Sequence, residues 1–278
     1  MFAQEFMRNA LFAGTFVGLA CGLVGYFVVL RAQVFAGDAL SHVAFTGALG
    51  AAALGLDLLA GVFVATICGG LLIGLLGERA RADDVTIGSL FAWTLGLGAL
   101  FLAIFTTQRS GNGNGAAGVR VLFGSIFGLN GHDVRVSVAI ALAAAVALLA
   151  IARPLLFSSL DEGVAEAQGV PVRALGLLFL ALLGVVAAEA TQAIGALLLL
   201  GLLAAPAGAA QRLTTRPWLG LAVSAALAVG SVWLGLTLAY VFPSIPPSSA
   251  VIGVAVAAYA VTLPSRRIVH GSIESTTR

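Results

Sequence analysis

The chain has 278 residues, of which 14 are basic and 12 acidic, 9% charged in all, against roughly 25% in a soluble domain. Hydrophobic residues make up 60% and mean hydropathy is +1.07, more apolar surface than one soluble core can hide, so a solvated monomer is excluded and a polytopic helical membrane protein remains. All 14 basic residues are arginine, which excludes a lysine-bearing phosphate loop and Schiff-base chemistry. Cut at charges and turn residues, the sequence gives apolar spans near 10–30, 39–56, 58–77, 85–107, 136–152, 173–189, 193–211, 218–242 and 248–264. That makes nine transmembrane helices, or eight if one of the short spans, 39–56 or 136–152, does not cross. The first span is too long for a cleavable signal and ends on no clear small-residue cleavage site. Ala174 to Gln211 holds a single charge, Glu189. As one helix this stretch would be about 57 Å long, so a turn near Glu189–Gln192 is expected.

Two connections are long. Gln108–Arg135 opens with a glycine-rich linker and continues as Val121–Leu129, apolar but too short to span, which fits a re-entrant or interfacial segment. Arg153–Arg173 contains a short polar helix near 158–170, ended by Gly169, with Pro171 opening the next span. Pro243, Pro246 and Pro247 mark a tight turn before the last span.

Arginine sidedness sets the orientation. Alternating the spans puts Arg31, Arg79, Arg81, Arg153, Arg173, Arg212, Arg216, Arg266, Arg267 and Arg278 on one side. Arg8, Arg109, Arg120 and Arg135 fall on the other. The richer side is cytoplasmic, so the N-terminus is outside, and the C-terminus is inside with a tail over 266–278. Glycine supplies 35 residues, nearly twice the usual roughly 7%. Gly14, Gly18 and Gly22, and Gly70 with Gly74, form small-residue faces suited to close helix contact. Cys21 and Cys68 read as buried small residues.

Ionisable groups inside spans are costly and mark function. Asp38 and His42 in Gly37-Asp-Ala-Leu-Ser-His42 are four apart and share a helix face, which Thr46 extends and Ser41 adjoins. A carboxylate with an imidazole can bind a divalent cation such as Zn²⁺ or Mn²⁺, or relay protons. The alternative is a helix-capping Asp and a His hydrogen-bonded within the bundle. Glu189, at the expected outer turn, is either a turn residue facing water or a cation-attracting group at the pore mouth. Asp57 fits a helix-connecting turn. Asp133, beside His132, is placed to cap the helix that follows. No nucleophile–base constellation or zinc-protease motif is present, which disfavours a hydrolytic enzyme.

Several motifs, in order, resemble the zinc/manganese permease family of binding-protein-dependent ABC importers. The opening is Leu11-x-Ala-Gly14, Gly22-Leu-Val-Gly25, Val29-Leu-Arg31 and Phe35-x-Gly-Asp-Ala-x-Ser-His42. Asp84-x-x-Ile-Gly88, Leu122-Phe-Gly-Ser-Ile126, Asp161 through Ala167-x-Gly169-Val170, and Gln192-x-x-Gly195 through Leu203-x-x-Pro206-Ala follow. The resemblance covers roughly 10–265 and implies a single permease domain over 1–278 in the cell membrane.

It further implies a homodimer enclosing one translocation path, two ATP-binding subunits on the cytoplasmic side and an external metal-binding protein. The permease itself is then no enzyme and holds no permanent cofactor. ATP sits on the partner subunit, and Zn²⁺, Mn²⁺ or sometimes Fe²⁺ is the cargo. Asp38 and His42 match the family's pore residues. Asp161, Glu162, Val164, Ala165, Ala167 and Gly169 fall in its coupling segment, where Gly163 weakens the helix by about 1 kcal/mol. Glu189 is outside the motif. On the residues alone, an ion-coupled secondary transporter, or a membrane protein with no ATPase partner, is the rival reading.

Overall fold

A computed structural model describes residues 4–77, 84–109, 124–196 and 199–263. These form α1 (Glu5–Leu30), α2 (Val34–Leu54), α3 (Leu58–Leu76), α4 (Asp84–Arg109), α5 (Gly131–Leu160), α6 (Glu162–Ala167), α7 (Val172–Ile194), α8 (Leu199–Leu213), α9 (Pro217–Val241) and α10 (Pro247–Val261). A 3-10 turn covers Ile126–Gly128. No strand occurs among the described residues, which form an all-α bundle of nine long helices and one short one. Six of them, α1, α3, α4, α5, α7 and α9, are long and apolar enough to cross a membrane. At 21 residues α2 is long enough as well, but Asp38 and His42 dilute its apolar run.

Local chemistry sets the helix ends. Asp57 caps α3 by accepting from the Ala60 N–H at 2.8 Å. Pro217 and Pro247 open α9 and α10, where a missing N–H costs nothing. Asn130, not Asp133, caps α5: its Oδ1 accepts from the N–H groups of His132 and Asp133 at 2.9 and 3.0 Å. Asp133 lies in the first turn, where the helix dipole favours a carboxylate. Helix α5 is also longer than its apolar span. It runs through Arg153 and Pro154 to Leu160, 30 residues in all. Helix α7 continues to Ile194, and Gly195 stops it at φ 99°, so the expected turn falls after Glu189–Gln192.

Contacts between helix ends fix the up-and-down order. At one end the Phe6 and Phe127 rings meet edge to face at 5.5 Å, Asn9 Nδ2 donates to the Leu129 carbonyl, and the Ser125 N–H donates to the Gln192 carbonyl. At the other, Gln211 Nε2 donates to the Tyr26 carbonyl at 3.0 Å, and Arg31 donates to Ser159 Oγ at 3.2 Å while lying over the Phe179 ring. Arg31, Arg153, Arg173, Arg212 and Arg216 gather toward this second end, which the positive-inside rule makes cytoplasmic. Arg79, Arg81, Arg120, Arg266, Arg267 and Arg278 lie outside the described residues, as do the glycine-rich stretch after Arg109 and the 266–278 tail.

Lipid is as apolar as a side chain, so helix association rests on close packing rather than on the hydrophobic effect. The small-residue faces supply it. Gly14, Gly18 and Gly22 of α1 lie on α9, and Ser224 Oγ donates to the Gly22 carbonyl at 2.6 Å. Gly70 and Gly74 of α3 meet Leu180 and Leu177 of α7, and Gly184 of α7 faces the Thr66 carbonyl in return. Cys21 is buried at the centre. Cys68, expected to be buried, is exposed on α3, because a membrane-facing surface is as apolar as the interior and hydropathy does not separate the two.

A Cβ at Gly22 would stand 2.6 Å from Ala225 Cα and 2.8 Å from the Ser224 carbonyl oxygen. Gly22→Ala gains up to about 1 kcal/mol of helix propensity but forces two backbones apart, at about 1–3 kcal/mol. It lowers the melting temperature in detergent. Gly230→Ala on α9, with nothing within 4 Å of the added carbon, does not.

Candidate functional site

Asp38 and His42 lie on successive turns near the start of α2, about 6 and 12 Å along the axis from its first residue. Both are half-buried. Asp38 lines a cavity of about 290 Å³ at the arginine-rich end, together with Phe35, Asp84, Ile87, Gly88 and Phe91. The His42 imidazole stands at right angles to the Phe91 ring, 4.9 Å between centroids. The neighbouring hydroxyls are committed elsewhere. Ser41, fully buried, donates to the Asp38 carbonyl at 2.7 Å. Thr46 donates to the Thr94 carbonyl of α4 at 3.0 Å and so ties α2 to α4.

Glu189 is not on a turn. It sits inside the last turns of α7, only 6% exposed, and its carboxylate accepts a hydrogen bond from the Ser137 hydroxyl of α5. It faces a second cavity, about 280 Å³, at the arginine-poor end, lined also by Asp57, His132, Asp133, Ser137 and Gln192. His132 Nδ1 and Asp133 Oδ1 are 3.7 Å apart there, both well exposed. The two cavities lie at opposite ends of the bundle. Each carries carboxylates, and among the described residues no Arg lines either. Among the described residues no three His, Cys, Asp or Glu side chains converge to hold a metal ion. Asp38 and His42 therefore offer two donors, fewer than a closed metal shell needs.

The short cytoplasmic helix forms despite Gly163. Asp161 Oδ1 accepts from the Val164 N–H at 2.9 Å and caps α6. Gly169, at φ 81°, supplies the left-handed residue that ends it, and the Val170 N–H closes back on the Ala165 carbonyl at 3.0 Å. Ala165 is fully buried beneath the helix. Asp161, Val164, Ala167 and Gly169 are exposed, and Glu162 is half-buried. Five of the six expected coupling residues thus remain accessible, with Ala165 anchoring them from below.

This is a multi-pass helical membrane protein with a carboxylate–imidazole pair beside an inner cavity and a capped cytoplasmic helix, the architecture of a transporter membrane subunit. Residues 3–265 match the model of the ABC 3 transport family, and the chain belongs to that family. It is 30% identical over 243 residues to the manganese transport system membrane protein MntC of Halalkalibacterium halodurans, covering 87% of this chain and 81% of that one. The manganese import system permease protein ScaB of Streptococcus parasanguinis is 27% identical over 237 residues, covering 85% and 82%. Among solved structures, a chain of PsaBC from Streptococcus pneumoniae in complex with Fab superposes with a TM-score of 0.81 at 25% identity, covering 95% of this chain and 94% of that one.

Proposed function

We propose that this chain is the permease subunit of an ATP-driven importer for a divalent transition metal, Mn²⁺ or Zn²⁺ before Fe²⁺, and that two copies enclose the path. The placement of Asp38 and His42 on one face of α2, Asp38 lining the inner cavity and His42 packed on its wall residue Phe91, carries the reading. Oxygen and nitrogen donors suit these ions. An incomplete shell suits transport, because a fully coordinated ion would not leave. The second copy or water completes the coordination. Ser41 and Thr46 line the same helix and hold its geometry through their backbone bonds. Glu189, Asp57 and Asp133 give the outer cavity a negative field that concentrates cations at the mouth.

The manganese assignments of the relatives support Mn²⁺ as the first cargo to test. An external metal-binding protein delivers the ion to the outer end. ATP-binding subunits dock on α6 and supply the hydrolysis that this chain does not perform. The test is uptake in proteoliposomes holding the permease, its ATP-binding subunits and its delivery protein. Mn²⁺ enters only with ATP, and Zn²⁺ competition ranks the two metals. Uptake driven by an ion gradient without ATP-binding subunits would instead establish a secondary transporter.

A further inference from the structure

Helix α4 packs on α2 and only lightly on α3, and it is the least buried of the six long apolar helices. Its seam with α2 follows the face that carries the chemistry. His42, Thr46 and Gly50, spaced by four, meet Phe91, Thr94 with Gly98, and Phe101 in turn. These are side-chain contacts and one hydroxyl bond to a carbonyl, each weak in isolation. Space borders the seam along its length. The 290 Å³ inner cavity opens at its inner end, between the starts of α2 and α4. An apolar cavity of about 440 Å³, with Val43, Gly47, Ala65, Trp93 and Leu97 in its lining, runs beside the rest of it. A helix held mainly by one partner, with cavities along the joint, forgoes part of the dispersion energy of close packing.

We propose that α4 is a movable wall over the metal face of α2, with Phe91 as the positioning residue that shields His42 until α4 shifts. The proposal rests on the reading that His42 contacts the metal. An aromatic ring offers a transition metal no nitrogen or oxygen donor, so the side of the half-buried imidazole that packs on Phe91 opens to a metal only when that ring moves away. Thr46 reinforces the closed state one turn further on, and releasing its bond to the Thr94 carbonyl leaves no helical hydrogen bond broken.

Two measurements test this. In the purified chain carrying Cys68→Ser and His42→Cys, a methanethiosulfonate reagent labels the thiol slowly. Adding Phe91→Ala raises the rate at least tenfold, whereas Phe91→Tyr, which keeps the ring, holds it slow. Equal rates with and without the Phe91→Ala change overturn the proposal, whatever ion is carried.

The second measurement bridges the wall. A Cβ on Gly98 would lie 3.8 Å from Thr46 Cβ, within the range of a disulfide. In membranes holding the full transporter with Cys68→Ser, Thr46→Cys and Gly98→Cys, oxidation stops Mn²⁺ uptake and a reductant restores it. Equal uptake in bridged and reduced forms overturns the movable wall. If neither form transports, the labelling rates alone decide. Mn²⁺ uptake that survives loss of His42 sinks the metal reading, while labelling still reports whether Phe91 covers that position.

Discussion

Asp38→Asn and His42→Gln each reduce Mn²⁺ uptake at least tenfold while the permease still purifies with its ATP-binding subunits. Both changes keep shape and remove a donor: a carboxylate becomes a neutral amide, and an imidazole becomes a side chain that binds these ions poorly. Losing an outer-shell partner alone costs roughly 10–100-fold in metal affinity or activity, so losing a ligand costs no less. Assembly survives because both side chains are half-buried, Asp38 at the inner cavity, rather than wedged in the core. Radiometric uptake with co-purification as the control distinguishes chemistry from folding. Wild-type uptake in either variant removes these residues from the path.

The second large effect is at α6. Val164→Asp weakens association of the ATP-binding subunit about tenfold, the loss of roughly 1.4 kcal/mol at an interface, and leaves the melting temperature unchanged. Val164 is 44% exposed and is the one sizeable apolar side chain within α6 itself. Ala165→Asp acts differently. It drives a charge beneath a fully buried alanine, unseats α6, and lowers both docking and the melting temperature. The pair separates a contact surface from the anchor behind it. Equal docking by Val164→Asp and wild type, measured by pull-down and stimulated ATP hydrolysis, would place the coupling surface elsewhere.

Much of this was legible in the residues. Charge and proline punctuation located nine helices to within a few positions at most ends, because inserting a charge into lipid is costly and proline opens helices. The Asp38–His42 face needed only the helical period. Nothing local in the sequence distinguishes Thr191–Gln192 from a turn, so local signals alone put Glu189 at one. The stop comes from the backbone at Gly195, and the partner that holds the carboxylate, Ser137, is 52 residues away in sequence. Arg153 and Pro154 look like punctuation and suggest an early end to α5, yet both are absorbed within the helix. The commitment of the Thr46 hydroxyl to α4 and the ring over His42 depend on tertiary packing, which helical spacing does not encode.

The glycine seams carry a mechanical consequence. Where Gly22 lies on Ala225 and Gly70 on Leu180, main chain meets main chain. Such a joint has no rotamers to rearrange, so sliding would have to drive one spine through the other. The α1–α9 and α3–α7 pairs are therefore stiff girders. Compliance in the molecule resides where long side chains mediate the contact, and a force applied at the cytoplasmic end is carried along the girders with little loss to bending.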